Sequence, residues 1–129
     1  LAAAEMLRGG TTCFNDMYFF PEATARAALR AGMRASLGII AIDFPSAYAT
    51  DPANYLHKGL ATRDAYRDEP LLSFCLAPHA PYTVGDETLG RIATLAVTAL
   101  RAPAVPRGTP IRLRWRTART RVRARSCVV

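Results

Sequence analysis

A histidine set between two prolines, in the run Leu76-Ala77-Pro78-His79-Ala80-Pro81-Tyr82-Thr83, is the residue of this chain best suited to chemistry. The apolar segment Leu71 to Ala77 leads into it and a helix-start signal follows it. An imidazole held where a buried strand opens into a rigid loop can touch a ligand, and packing alone gives little reason for it to be there. Two carboxylates stand in equivalent places, Asp16 after one strand-like run and Asp43 after another. Aromatic residues follow the same three runs: Tyr18 and Phe19, Phe44, and Tyr82. If the runs are adjacent parallel strands, Asp16, Asp43 and His79 share one surface with aromatic walls. Such a pocket suits a flat, partly apolar ligand with a few polar edges.

Plainer roles compete at each position. Aspartate also ends strands and caps turns, and Tyr18, Phe19 and Phe20 also serve packing. His57, within Tyr55-Leu56-His57-Lys58, reads as a surface residue. Metal chemistry asks for more than the chain offers. A catalytic zinc or iron takes about three to five His, Asp or Glu ligands, and the chain has 2 histidines, in different kinds of element. No HxH, HExxH or CxxC pair, glycine-rich phosphate loop or GxSxG elbow occurs. The chain alone is therefore expected to hold no metal and no complete catalytic set.

The elements that would position these residues follow from the spacing. Leu1 to Leu7 is rich in helix formers and stops at Gly9-Gly10. Strands are predicted near residues 11–16, 33–42 and 71–77, the second apolar almost throughout, as when both faces are covered. Between them, Pro21-Glu22 opens a helix that closes on Gly32, and Asp51-Pro52 caps another with Tyr55, Leu56, Leu60, Ala61 and Tyr66 on its apolar side. Asp86-Glu87 is expected to cap a last helix bearing Leu89, Ile92, Ala93, Leu95 and Ala96 on one side. Alternating strands and helices with short connections define an α/β fold of three parallel units. Open edges on such a sheet invite aggregation. A small flavodoxin-like or Rossmann-like module would share this order, but its glycine-rich first turn is missing from Asp16-Met17-Tyr18-Phe19.

The net charge of +7 is misleading. Residues 101–129 hold nine arginines and no acid, so the preceding hundred residues are slightly acidic. A nucleic-acid-binding arm, a solvated tail and a shifted reading frame compete for this Arg/Pro-rich tail; arginine without lysine or acid favours the third, and nucleic acid is not the expected partner. Cys13, Cys75 and Cys127 lack metal or redox spacing, and Cys13 and Cys75 lie in apolar runs, so buried thiols in a reducing, cytoplasmic setting are expected. No apolar stretch reaches the roughly 18 residues that would span a bilayer. The start on Leu1, in mid-helix pattern, suggests a piece of a longer protein.

Glu5-Met6-Leu7-Arg8-Gly9-Gly10-Thr11-Thr12-Cys13-Phe14-Asn15-Asp16-Met17-Tyr18-Phe19, then Ala31-Gly32-Met33-Arg34-Ala35, then Ala77-Pro78-His79-Ala80-Pro81-Tyr82-Thr83 resemble, in order, the amidohydrolase superfamily. The nearest branch is that of the 5′-methylthioadenosine/S-adenosylhomocysteine deaminases, with the related triazine and N-ethylammeline chlorohydrolases. The resemblance covers about residues 1 to 98. It implies a metal-dependent (β/α)8 barrel, of which residues 1–100 are a fragment of about three βα units, and hydrolytic deamination of an amino-substituted heterocycle such as an adenosine-type nucleoside. In such a parent a zinc or iron ion would activate water. The resemblance places His79 against substrate rather than metal, and the metal-binding histidines, the aspartate and the catalytic glutamate of the family have no counterpart in this chain. The fragment alone is expected to be inactive. The sequence leaves open whether the parent is a homo-oligomer.

Overall fold

A computed structural model describes residues 1–98; the tail and its competing readings lie outside the described residues. Seven elements follow in the order helix α1 (Ala2–Arg8), strand β1 (Cys13–Asp16), helix α2 (Pro21–Ala31), strand β2 (Arg34–Ala41), helix α3 (Pro52–Ala65), strand β3 (Leu72–Pro78) and helix α4 (Asp86–Thr98). Local signals account for most boundaries. Pro21 sits in the first turn of α2, and Gly32 ends it in the left-handed conformation at φ 65°, where a side chain would be strained. Asp51 caps α3, its carboxylate accepting from the Asn54 N–H at 2.9 Å, with Pro52 following.

The three strands form one parallel sheet in the order β1-β2-β3. Asp16 pairs with Leu37, and Gly38, Ile40 and Ala41 pair with Cys75, Ala77 and Pro78. Alternate residues of a strand point to opposite faces, which divides β2 into two sets. Ala35 and Leu37 pack with Ala25 and Ala28 of α2, and Ile39 and Ala41 pack with Leu56 of α3 and Ile92 of α4. The helices thus cover one face. On the other, Cys13, Asn15 and Ser73 are exposed, and Ser36 and Cys75 are half-buried with their side-chain heteroatoms 4.0 Å apart.

That bare face corrects the expectation of buried thiols: Cys13 is exposed and Cys75 only partly covered, because no second layer meets the edge strands there. Toward its C-terminal end β2 is covered on both sides. Ile40 and Ile42 join Tyr48 and Ala49 of the β2–α3 loop, Tyr55 of α3 and Phe19 of the β1–α2 loop. The Phe19 and Phe20 rings lie 6.1 and 5.2 Å from that of Tyr48, and Lys58 donates to the Tyr48 carbonyl. Burial pushes the Tyr48 phenol up to about 12, and its hydroxyl has no hydrogen-bond partner among the described residues.

Two helix faces also differ from the expected ones. In α3 the buried positions are Tyr55, Leu56, Gly59 and Thr62, with Ala61 exposed, because the glycine lets the helix approach Ile39. In α4 only Thr88 and Ile92 are buried, with Leu95 half-buried, while Leu89, Ala93 and Ala96 face solvent. None of the described helices is long and apolar enough to cross a membrane.

Candidate functional site

Parallel pairing brings the C-terminal ends of β2 and β3 side by side, with Asp43 and His79 just beyond them, whereas β1 ends lower, Asp16 standing level with Leu37 and Phe74. His79 follows β3 directly. Its N–H donates to the Ala41 carbonyl at 3.2 Å, continuing the ladder past the Ala41–Pro78 pair. The ring Nδ1 lies 3.0 Å from the Thr83 hydroxyl oxygen. That hydroxyl donates to the Ala80 carbonyl, also at 3.0 Å, so its single proton is used. The network therefore suits a ring that donates from Nδ1 to Thr83, which leaves Nε2 for another partner. His79 is exposed.

Asp43, just after β2, is linked to the same loop. Its N–H donates to the Thr83 carbonyl at 2.9 Å; its carboxylate accepts from the Gly85 N–H at 2.5 Å and from the Thr88 hydroxyl at 2.7 Å. The Gly85 bond, and after it the Thr88 bond, hold the carboxyl below the usual carboxylate range, against a smaller opposing effect of burial. Helix α4 starts at Asp86, as the sequence predicts, with Asp86 and Glu87 exposed in its first turn; the carboxylate that accepts from Gly85 and Thr88 there comes from Asp43, just after β2.

Asp16 is tied elsewhere. It accepts from the Thr24 hydroxyl of α2 at 2.9 Å and shares the helix-covered face with Phe14, two residues earlier. Among the described residues no hydrogen bond joins it to His79 or Asp43, so the structure links two of the three expected polar residues through Thr83 and leaves the third turned toward α2. Tyr18, 62% exposed, stacks obliquely on Phe19 at 4.6 Å; Tyr82 is 87% exposed, and Phe20 and Phe44 are also open. Exposed aromatic rings thus surround the strand ends. His57 is on the surface, as expected, beside a groove between α3 and α4 lined by Leu56, Leu60, Arg91 and Leu95, away from the strand ends.

The sequence reading missed Thr83, Gly85 and Thr88 as partners. The only local signal was a threonine one helical turn after His79, and nothing local pairs Asp43 with residues more than forty positions on. Among the described residues, no three His, Cys, Asp or Glu side chains gather where they could hold a metal ion.

Residues 1–99 match the amidohydrolase family. Over 103 residues the chain is 55% identical to a 5-methylthioadenosine/S-adenosylhomocysteine deaminase of Saccharophagus degradans, covering 80% of this chain and 23% of that protein. A protein of the same description from Teredinibacter turnerae is 58% identical over 96 residues, 74% of this chain and 22% of its own. The crystal structure of an adenosine deaminase from Xanthomonas campestris with bound zinc superposes with a TM-score of 0.71 at 47% identity, over 74% of this chain and 22% of that one. The chain thus spans less than a quarter of the length of these relatives. Within that span the three motifs around β1, β2 and His79 all fall inside the match, and on these grounds the chain belongs to the amidohydrolase family.

Proposed function

We propose that this chain is a segment of a metal-dependent deaminase acting on an amino-substituted heterocycle, an adenosine-type nucleoside such as 5′-methylthioadenosine or S-adenosylhomocysteine. Its fold is then three consecutive βα units of a (β/α)8 barrel. The adjacent parallel strands and the bare sheet face, which would line a barrel interior, support that reading. So do the names of the relatives and the zinc bound in the Xanthomonas campestris structure. A Rossmann-like module shares the parallel strands but accounts for neither the bare sheet face nor the relatives, and an arginine-dependent nucleic-acid binder explains none of these features.

The observation that carries the functional reading is His79 at the mouth of β3, its ring tethered on one nitrogen by Thr83 while Nε2 is left for another partner. In this reading Nε2 makes a polar contact with the heterocycle or its sugar, and Tyr18, Phe44 and Tyr82 offer apolar walls. Asp16 and Asp43 border the site. The described residues do not fit a metal ion, since no cluster of donors exists among them, and no step of the reaction is assigned to this segment. Its part is to bind and orient.

Two measurements test this. The 129-residue chain supplied with zinc or iron is expected to release no ammonia from 5′-methylthioadenosine above a His79→Ala control. In a full-length enzyme carrying this segment, His79→Ala is expected to raise KM about tenfold, the loss of one ligand hydrogen bond. An unchanged KM would remove His79 from the binding surface.

A further inference from the structure

We propose that Asp43 is a positioning residue: from the end of β2 it clamps the loop between β3 and α4, and through Thr83 it sets the orientation of the His79 ring. The loop itself argues for this. Apart from the Leu89 N–H bond to the Gly85 carbonyl within the start of α4, the hydrogen bonds that leave residues 79–85 among the described residues go to Ala41 at the end of β2 or to Asp43 just after it: His79 N–H to Ala41, Thr83 carbonyl from Asp43 N–H, and Gly85 N–H to the Asp43 carboxylate. Pro78 and Pro81 lack N–H donors, so the loop has few groups with which to anchor itself. Within the loop, the Thr83 N–H and hydroxyl both donate to the Ala80 carbonyl, and the hydroxyl oxygen is the partner of the His79 ring.

A carboxylate suits the task because each of its two oxygens can take a separate donor, and ionised acceptors make the stronger bonds. One oxygen takes Gly85 and the other Thr88, while the backbone of the same residue holds Thr83. Three attachments from one residue thus fix Thr83 on the loop side and the first turns of α4 on the other. Thr83, placed in this way, presents its hydroxyl oxygen to His79 Nδ1 with its own proton directed at Ala80. The ring is left one favoured tautomer and one favoured rotation. As a direct ligand contact Asp43 is less well suited, since a ligand would have to share oxygens already engaged by protein donors.

Asp43 matters to substrate only if His79 faces it, so the functional meaning of the clamp rests on the proposed function. The test is made without ligand, so failure of the clamp leaves the substrate reading standing, and an unchanged KM for His79→Ala leaves the clamp standing. The full 129-residue chain is labelled with ¹⁵N-histidine, and His57→Gln assigns the two rings. In the parent chain the His79 nitrogens are expected to show a predominantly Nδ1–H tautomer. In Asp43→Ala they should move toward the averaged signature of free imidazole, as in Thr83→Val, while His57 is unaltered and the Gly85 amide exchanges about tenfold faster. Asp43→Asn, which keeps one acceptor oxygen, should restore part of the parent signature. A cap acting only on α4 would change Gly85 and leave His79 unmoved, and that result overturns the proposal. Should Asp43→Ala unfold the sheet, Thr88→Val decides, since it removes one carboxylate bond: a smaller His79 shift in the same direction supports the clamp, and no shift refutes it.

Discussion

Replacing Gly59 by alanine sets two well-characterised effects against each other. In an exposed helix the change would stabilise by about 1 kcal/mol, the difference in helix propensity. Here α3 lies on β2, and an added Cβ at Gly59 would sit 2.3 Å from Ile39 Cγ2, 3.1 Å from its Cβ and 3.2 Å from its Cγ1. Carbon atoms at rest are about 3.5–4.0 Å apart, so more than an ångström must be recovered. Ile39 cannot swing away cheaply. It is 1% exposed, β-branched and on the central strand, packed among Ala41, Leu56 and Ile92. Moving α3 instead would open gaps beside Leu56 and Leu60. Overpacking of this kind costs about 1–3 kcal/mol, and the backbone-close clash puts Gly59 at the upper end. The net expectation is destabilisation by about 2 kcal/mol. Urea denaturation followed by circular dichroism at low micromolar protein would measure it. Ile39→Ala alone should cost about 2–5 kcal/mol. Because it makes room for the new methyl, the double variant should be more stable than the sum of the singles by over about 1 kcal/mol. A Gly59→Ala chain as stable as the parent, or singles that simply add, would refute the packing argument.

The bonds at Asp43 give a pH signature. Its folded-state pKa is depressed, so the stabilisation is complete above the unfolded value of about 4 and is lost as pH falls through the lower folded value. The Gly85 amide proton should hold its downfield shift from neutral pH to below 4 and then lose it, with no such step in Asp43→Asn; Asp86 and Glu87 at the start of α4 need separate control variants. Tyr48→Phe removes a buried hydroxyl without a partner among the described residues and should be neutral or stabilising by about 1 kcal/mol in the same urea assay; a loss of similar size would reveal a partner. In the unsubstituted chain the folded Tyr48 phenol, pushed up to about 12, should keep its proton where the same phenol in the unfolded chain loses it, so stability should fall from about pH 10 upward. Gly32→Ala, at φ 65°, should lower stability by about 1–2 kcal/mol, the same change at Gly90, inside α4, serving as a control expected to stabilise.

The elements were legible where punctuation is local. Pro21 and Gly32 bracket α2, Asp51-Pro52 opens α3, and each predicted strand holds an observed one, give or take a residue or two at its ends. What the sequence left open was coverage. Cys13 and Cys75 have the character of core residues, yet burial depends on a second layer that spacing within one strand does not encode. The α3 stripe went astray for a related reason: Gly59 and Thr62 look like poor core residues, but a missing side chain is what allows α3 to meet Ile39 closely. At the site, His79 was conspicuous because its prolines are adjacent to it. Asp43 was singled out by position, but its partners, Gly85 and Thr88, lie beyond the reach of any local pattern.

The lateral bonds from the end of β2 to the β3–α4 loop bear on how such folds can be recombined. If each βα unit carried its own loop intact, a unit could be exchanged between relatives like an interchangeable part. Here the residue that holds the His79 loop is encoded one unit upstream of the loop it serves. A chimera joined between Phe44 and Leu72 would separate the two halves of the contact, and would keep the loop geometry only if both parents matched at Asp43, Thr83 and Thr88. The smallest transferable piece of this surface therefore runs from β2 into α4, across two units.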